Sequence, residues 1–143
     1  MSGSAPTPGR VLHFAYLWHR EHLEGRAEAT KDRPCVVLFV DAEAVPGREI
    51  VTVLPVTRQA PKRPGDALEL PPPTKGRLGL DEARSWVVVT EADEFTWPGY
   101  DLRRTPDGRD DYGSVTGGQL QALRKAFAGH ARRGTLARVD RGG

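Results

Sequence analysis

The chain has 143 residues, 38% of them hydrophobic and 28% charged, with one cysteine and a formal net charge of +2 at pH 7. That length suffices for one domain with a single buried core. It excludes a membrane span, since no apolar stretch approaches the ~20 residues required, and the lone cysteine excludes an internal disulfide and suits a reducing cytoplasm.

Residues 1–8, "MSGSAPTP", have neither the basic start nor the apolar centre of a secretory signal and read as a flexible tail. One domain is expected over residues 9–134. Its first strand candidate is "RVLHFAYLW" (10–18), where Leu12, Phe14, Tyr16 and Trp18 alternate with the residues between them. "HREHLEGRAEATKD" (19–32) is polar and aperiodic, a long connecting loop. "PCVVLFV" (34–40) is a second strand, with proline at the one position a strand tolerates best. "IVTVLPV" (50–56) is a third, and "TRQAPKRPGD" (57–66) a loop rich in proline, glycine and base. Short "ALEL" (67–70) is a strand, "PPPTKGRLGLDEAR" (71–84) a turn region, and "SWVVVTE" (85–91) another strand. Several short strands joined by Pro/Gly-rich turns point to a small barrel.

The C-terminal third differs. Residues 1–96 sum to a net charge of −2 and residues 97–143 to +4; a solvated helix face accounts for that excess as well as RNA binding does. A helix is predicted over about 117–133. Thr116 and Gln119 have capping-box spacing, Gly134 stands where the helix should stop, and Leu120, Leu123 and Phe127 share one face. Residues 135–143 are expected to be a flexible tail.

Two basic residues, Lys31 and Arg33, crowd the mouth of the most apolar strand, and Pro34 fixes the backbone beside them. A core strand has no use for a guanidinium there; a phosphate-handling site does. "EATKDRP" before the second strand, "VLPVTRQ" ending the third, and "LGLDEARSWVVVTE" occur in an order and spacing that resemble the MazF/PemK family of toxins. The resemblance runs from Gly9 to about Trp97. It implies a mainly β fold with a C-terminal α-helix, a small SH3-like barrel (MazF/PemK/CcdB-like), assembled as a homodimer in the cytoplasm. It further implies the toxin of a type II toxin–antitoxin system, a metal-independent endoribonuclease and growth inhibitor that cuts single-stranded RNA or mRNA and is bound by a cognate antitoxin. By the same resemblance Arg33, Thr57 and Glu28 are the catalytic candidates. Arg58, Gln59, Lys62 and Arg63, in an exposed basic loop beside Thr57, are the RNA-binding ones. No cofactor and no metal are expected.

These residue types suit the chemistry. Without metal, the 2′-hydroxyl attacks the adjacent phosphorus and the 5′-oxygen leaves, so a proton must be taken, another supplied, and charge on the phosphoryl oxygens stabilised. Arg33 offers a permanent cation with a planar fork of donors; Thr57 offers a hydroxyl; Glu28 is the candidate base. Each also has an ordinary reading, as a surface ion pair, a strand-end hydroxyl and a solvated acid. Some family members carry a histidine where this chain has Ala27, and an arginine and an aspartate where it has Val88 and Thr90, with Glu91 next. His19, His22 and Glu91 are the substitutes at hand for the base. His13, His19 and His22 do not share one element and make a zinc site improbable on spacing. The competing reading is a barrel that has lost catalysis and serves as a protein- or nucleic-acid-binding module.

Overall fold

The apolar run at residues 35–38 lacks polar alternation because both of its faces are covered. The computed structural model describes residues 5–25, 32–45, 48–97 and 102–141. It places the run in a long strand, β2 (Arg33–Val45), between β1 (Arg10–Phe14) and β3 (Arg48–Thr57). Val36 and Leu38 enter one apolar cluster with Leu54, Leu123 and Phe127. Cys35 and Val37 enter a second with Phe14, Val53 and Phe95. Successive side chains of a strand point to opposite faces, so a strand buried twice reads as continuous hydrophobe.

β3 is the hub of the sheet. One edge pairs with β2. The other takes β6 (Glu91–Thr96) along Ile50–Val53 and β5 (Trp86–Val88) at Val56–Thr57. β4 (Ala67–Glu69) extends the sheet beyond β5, and two short strands, β7 (Leu102–Arg103) and β8 (Gly113–Ser114), pair with β1. Every pair is antiparallel except β6 with β9 (Ala137–Asp140), which run parallel. Three helices stand among the described residues: α1 (His19–Leu23), α2 (Pro72–Leu78) and α3 (Gly117–Arg133). The fold is therefore mainly β with a C-terminal helix. Among the described residues no helix is long and apolar enough to cross a membrane.

α3 begins and ends where its sequence signals stand. The Thr116 hydroxyl accepts from the Gln119 amide, and the Gln119 side chain accepts from the Thr116 amide. Gly134 closes the helix at φ +70°, with the Thr135 amide reaching back to the His130 carbonyl. Leu123 and Phe127 are buried against the sheet, with Leu120 packed at their margin.

Five expectations give way. The first strand, expected over 10–18, ends at Phe14, where the chain leaves β1, and the loop expected over 19–32 begins with α1, a short helix whose Glu21 side chain accepts from the Trp18 amide. The turn region over 71–84 contains α2, because prolines in the first helical turn lack only amides that would be unpaired there anyway. "SWVVVTE" is split between β5 and β6, which leave β3 at different points. The middle of the expected tail over 135–143 is built into the sheet as β9, where Val139 is 1% exposed, and just beyond it the Arg141 side chain is buried against Asp93. Too few apolar residues mark this strand for periodicity to find it. Residues 1–4, 142 and 143 lie outside the described residues.

β2 carries a bulge at Leu38, where its register with β3 shifts between Val37 and Phe39. A bulge withdraws a residue from the ladder. Arg124 of α3 takes up the Leu38 carbonyl with Nε at 3.1 Å and Nη2 at 2.9 Å, and its guanidinium lies 5.1 Å from the Phe39 ring centroid. This forked contact ties the helix to the sheet. Arg124→Ala should lower unfolding free energy by about 1.5–3 kcal/mol, the scale of a charge-assisted hydrogen bond. Arg124→Lys should recover only part of it. Urea melts of the three proteins check this, and an Arg124→Ala midpoint equal to that of the parent would refute it.

Candidate active site

The site starts from a backbone problem. After Phe14 the chain leaves β1 and crosses the end of the sheet without a ladder partner, so its amides need other acceptors. Carboxylates provide them. The Leu17 amide donates to Asp93 Oδ2 at 2.8 Å, the Trp18 amide to Glu21 Oε1 at 3.1 Å, and the His19 amide to Glu91 Oε1 at 2.9 Å. The Tyr16 hydroxyl donates to that same Glu91 oxygen at 3.1 Å. Arg141 completes the knot, its Nη1 donating to the Ala15 carbonyl at 2.7 Å and to Asp93 Oδ2 at 3.2 Å. Glu91, one of the candidates for a base, is thus committed to holding the chain.

This crossing fixes the Trp18 ring. Tyr16 meets it edge-on at 5.1 Å, and the guanidinium of Arg33 lies over it at 4.9 Å, with that of Arg20 at 5.2 Å. Stacking on an indole suits the planar guanidinium. Arg33 Nη1 donates to the Val56 carbonyl at 3.3 Å, while its Nε is buried with no hydrogen-bond partner among the described residues. Burial lowers the pKa of this guanidinium from its usual value. Arg33 is therefore half-buried, held on two sides, and left with a donor unused.

Arg33 borders a cleft of about 730 Å³ whose walls also include Trp18, Thr57, Arg58, Gln59 and Tyr112. Four sequence-predicted residues (Arg33, Thr57, Arg58, Gln59) thus meet in one concavity. β3 ends at Thr57, and the Gln59 amide donates to the Thr57 hydroxyl oxygen at 3.2 Å, leaving the hydroxyl hydrogen for a guest. Arg58 is ion-paired with Asp81 across the cleft mouth. Lys62 and Arg63 do not line this cleft; both are exposed, and Arg63 borders a smaller hollow beside His130. Glu28 and Ala27 lie outside the described residues, and neither His19 nor His22 lines the cleft. No three His, Cys, Asp or Glu side chains among the described residues gather as a metal site.

The cleft contains residues the sequence reading passed over. Arg109 donates to the Leu78 carbonyl at 3.1 Å and the Tyr112 carbonyl at 3.3 Å and pairs with Asp107 at 2.9 Å, so it builds the wall. The Tyr112 hydroxyl stands 2.9 Å from His13 Nδ1. Asp32, next to Arg33 in the chain, has Oδ2 3.9 Å from His13 Nε2. No spacing signal joins these groups, which lie on strands and loops far apart in the chain. With Arg58 and Arg109 paired to aspartates, Arg20 and Arg33 are the cleft cations without a salt-bridge partner among the described residues. Cys35 is fully buried, and burial pushes its thiol well up, so it is not a nucleophile.

No protein-family model matches this chain, and neither does any curated protein sequence.

Asp93 supplies a test of the scaffold. Burial raises its carboxyl from 3.8 to about 7, against the opposing pull of the Leu17 amide and Arg141. A raised folded-state pKa means that the native protein holds the proton more tightly than the unfolded chain. Its contribution is complete below about pH 3.8 and is lost as pH rises through about 7. Asp93→Asn keeps an acceptor for Leu17 but does not titrate. Relative to that variant, the parent should lose stability between pH 4 and 7 by up to about 1.4 kcal/mol per pH unit, and no further above pH 8. Parallel curves across that range, measured by denaturant melts, would contradict the assignment.

Proposed function

We propose that this chain is a metal-independent endoribonuclease acting on single-stranded RNA, the toxin of a toxin–antitoxin pair with an SH3-like barrel. The observation that carries the reading is Arg33: a guanidinium stacked on Trp18, anchored to Val56, and carrying an unpartnered buried Nε at the edge of a cleft that also holds Thr57. Such a group is preorganised for an anion, because most of its conformational freedom is already gone before the anion arrives. Phosphate offers oxygens matched to the fork.

In this reading the scissile phosphate sits between Arg33 and Thr57. The 2′-oxygen attacks phosphorus and the 5′-oxygen departs, leaving a 2′,3′-cyclic phosphate. Arg33 balances charge growing on the nonbridging oxygens, in a half-buried setting where Coulomb attraction exceeds that in water. The Thr57 hydroxyl donates to one of the same oxygens. Gln59 and Arg58 border the path of the flanking nucleotides, and the exposed Lys62 and Arg63 add charge farther along the loop. The functional unit is a homodimer in the cytoplasm, and a cognate acidic antitoxin segment inhibits by covering the same cleft.

Purified protein should cut an RNA oligonucleotide in EDTA and leave cyclic phosphate ends, visible by gel mobility before and after phosphatase. Arg33→Ala should slow cleavage by roughly 10²–10³, as loss of one preorganised donor does. Arg33→Lys should rescue little, since an ammonium cannot stack on Trp18 while reaching both Val56 and phosphate. RNA bound tightly but left intact would favour the catalytically silent binding module. Wild-type cleavage by Arg33→Ala would falsify the central assignment.

A further inference from the structure

Neither Arg33 nor Thr57 can take the proton of the attacking hydroxyl, and Glu91 is occupied by the His19 amide and the Tyr16 hydroxyl. The cleft also holds a different arrangement. Tyr112 lines the cavity, and its hydroxyl meets His13 Nδ1 at 2.9 Å, the two rings set edge to face with centroids 5.8 Å apart. Behind them Asp32 Oδ2 lies 3.9 Å from His13 Nε2 and 4.0 Å from Arg103 Nε. Tyr112 is well held: its amide donates to the Val11 carbonyl at 2.9 Å, and Arg109 both hydrogen-bonds its carbonyl and lies 5.8 Å from its ring centroid. His13 is fixed by the β1–β2 register, which sets it beside Pro34, one residue from Arg33.

We propose that Tyr112 is a catalytic residue of this cleft, relaying the proton of the attacking 2′-hydroxyl to His13, with Asp32 balancing the imidazolium that forms. The inference rests on the nuclease reading and names the base that reading lacks.

The electrostatics agree with the direction of transfer. Burial lowers the pKa of His13 from 6.5; Asp32 opposes that and Arg103 adds to it. The imidazole is therefore neutral and accepting at pH 7. Burial raises the pKa of Tyr112, with Asp107 adding to the rise and Arg109 opposing it, while Cys35 and Asp32 add smaller contributions. A phenol of that kind is no base by itself, but it can pass a proton on. The relay uses the tautomer in which the Tyr112 O–H donates to Nδ1 and the imidazole proton sits on Nε2, the nitrogen nearer Asp32.

The step balances as follows. The 2′-hydroxyl gives its proton to the Tyr112 oxygen while Tyr112 gives its own to His13 Nδ1. The 2′-oxygen lone pair forms the new bond to phosphorus. The bond from phosphorus to the 5′-oxygen breaks, its electron pair leaves on that oxygen, and the oxygen takes a proton from water. The hydroxide so formed removes the proton from His13.

The test uses the full chain and an RNA oligonucleotide under single-turnover and steady-state conditions. Tyr112→Phe should lower kcat by about 10²-fold or more, the scale of general-base catalysis, with KM and melting temperature close to those of the parent. The parent pH–rate profile should show an acid limb below pH 6.5, set by His13. His13→Asn should lose that limb along with the rate. An RNA with a sulfur in place of the departing 5′-oxygen, whose leaving group needs no proton, should not rescue Tyr112→Phe. Rescue by that substrate, an acid limb that survives in His13→Asn, or a parent-like kcat in Tyr112→Phe would each overturn the relay. If Tyr112→Phe melts below the assay temperature, His13→Asn decides by the acid-limb criterion alone. RNA cut by Tyr112→Phe at the parent rate but not by Arg33→Ala sinks the relay and leaves the nuclease reading standing. RNA left intact by the parent sinks both.

Discussion

Everything at the cleft depends on three consecutive amides, those of Leu17, Trp18 and His19, finding carboxylates where a strand would have found carbonyls. Without such acceptors a chain crossing the end of a buried sheet would leave donors stranded, at about 1–3 kcal/mol each. Asp93 and Glu91 of β6 take the Leu17 and His19 amides, and Glu21 of α1 takes that of Trp18. The arrangement does more than satisfy donors. It sets the Trp18 ring, and the guanidinium of Arg33 lies over that ring, so the fork is held by residues about sixty positions further along the chain. Deleting the Arg141 contact would leave the buried Asp93 with one ally fewer, so the segment just beyond β9 supports the crossing although it touches no part of the cleft.

The charge pattern of the cleft follows the same economy of cations. The chain as a whole is nearly balanced at +2, and the cleft is not a broad basic surface. Arg58 and Arg109 are answered by Asp81 and Asp107. Their ion pairs are exposed and so contribute little to stability, but they remove two positive charges from the field. What remains positive is concentrated at Arg33 and Arg20, beside a single aromatic ring. The cleft thus presents one concentrated point of positive charge in place of a broad basic surface.

The parts of the fold written into short stretches were legible in the sequence. β1, β2 and β3 carry enough contiguous apolar residues to announce themselves, and α3 carries its capping box, its apolar face and Gly134. α2 was hidden because proline was read as a breaker, whereas in a first turn it is at home. β9 was hidden because its burial comes from Val139 and from an arginine whose partner is forty-eight residues away. The site divides the same way. Arg33, Thr57, Arg58 and Gln59 are flagged by local motif and do meet in one cleft. His13 and Tyr112 are ninety-nine residues apart, and no spacing rule connects a strand histidine with a loop tyrosine. Trp18 was read as the end of a strand, when it is the ring on which the guanidinium lies. The expected base, Glu28, falls outside the described residues.

The parallel pairing of β6 with β9 has a consequence for the order of events during synthesis. Ala15 and Arg141 are 126 residues apart, so the crossing that holds Trp18 acquires this tie only after residue 141 has been made. Contacts of such long separation form late, because the entropy of closing the intervening loop must first be overcome. A ribosome-bound chain can assemble β1 to β3 and still lack a fixed Trp18. The β1–β2–β3 pairing can thus precede the tie that Arg141 gives to the crossing.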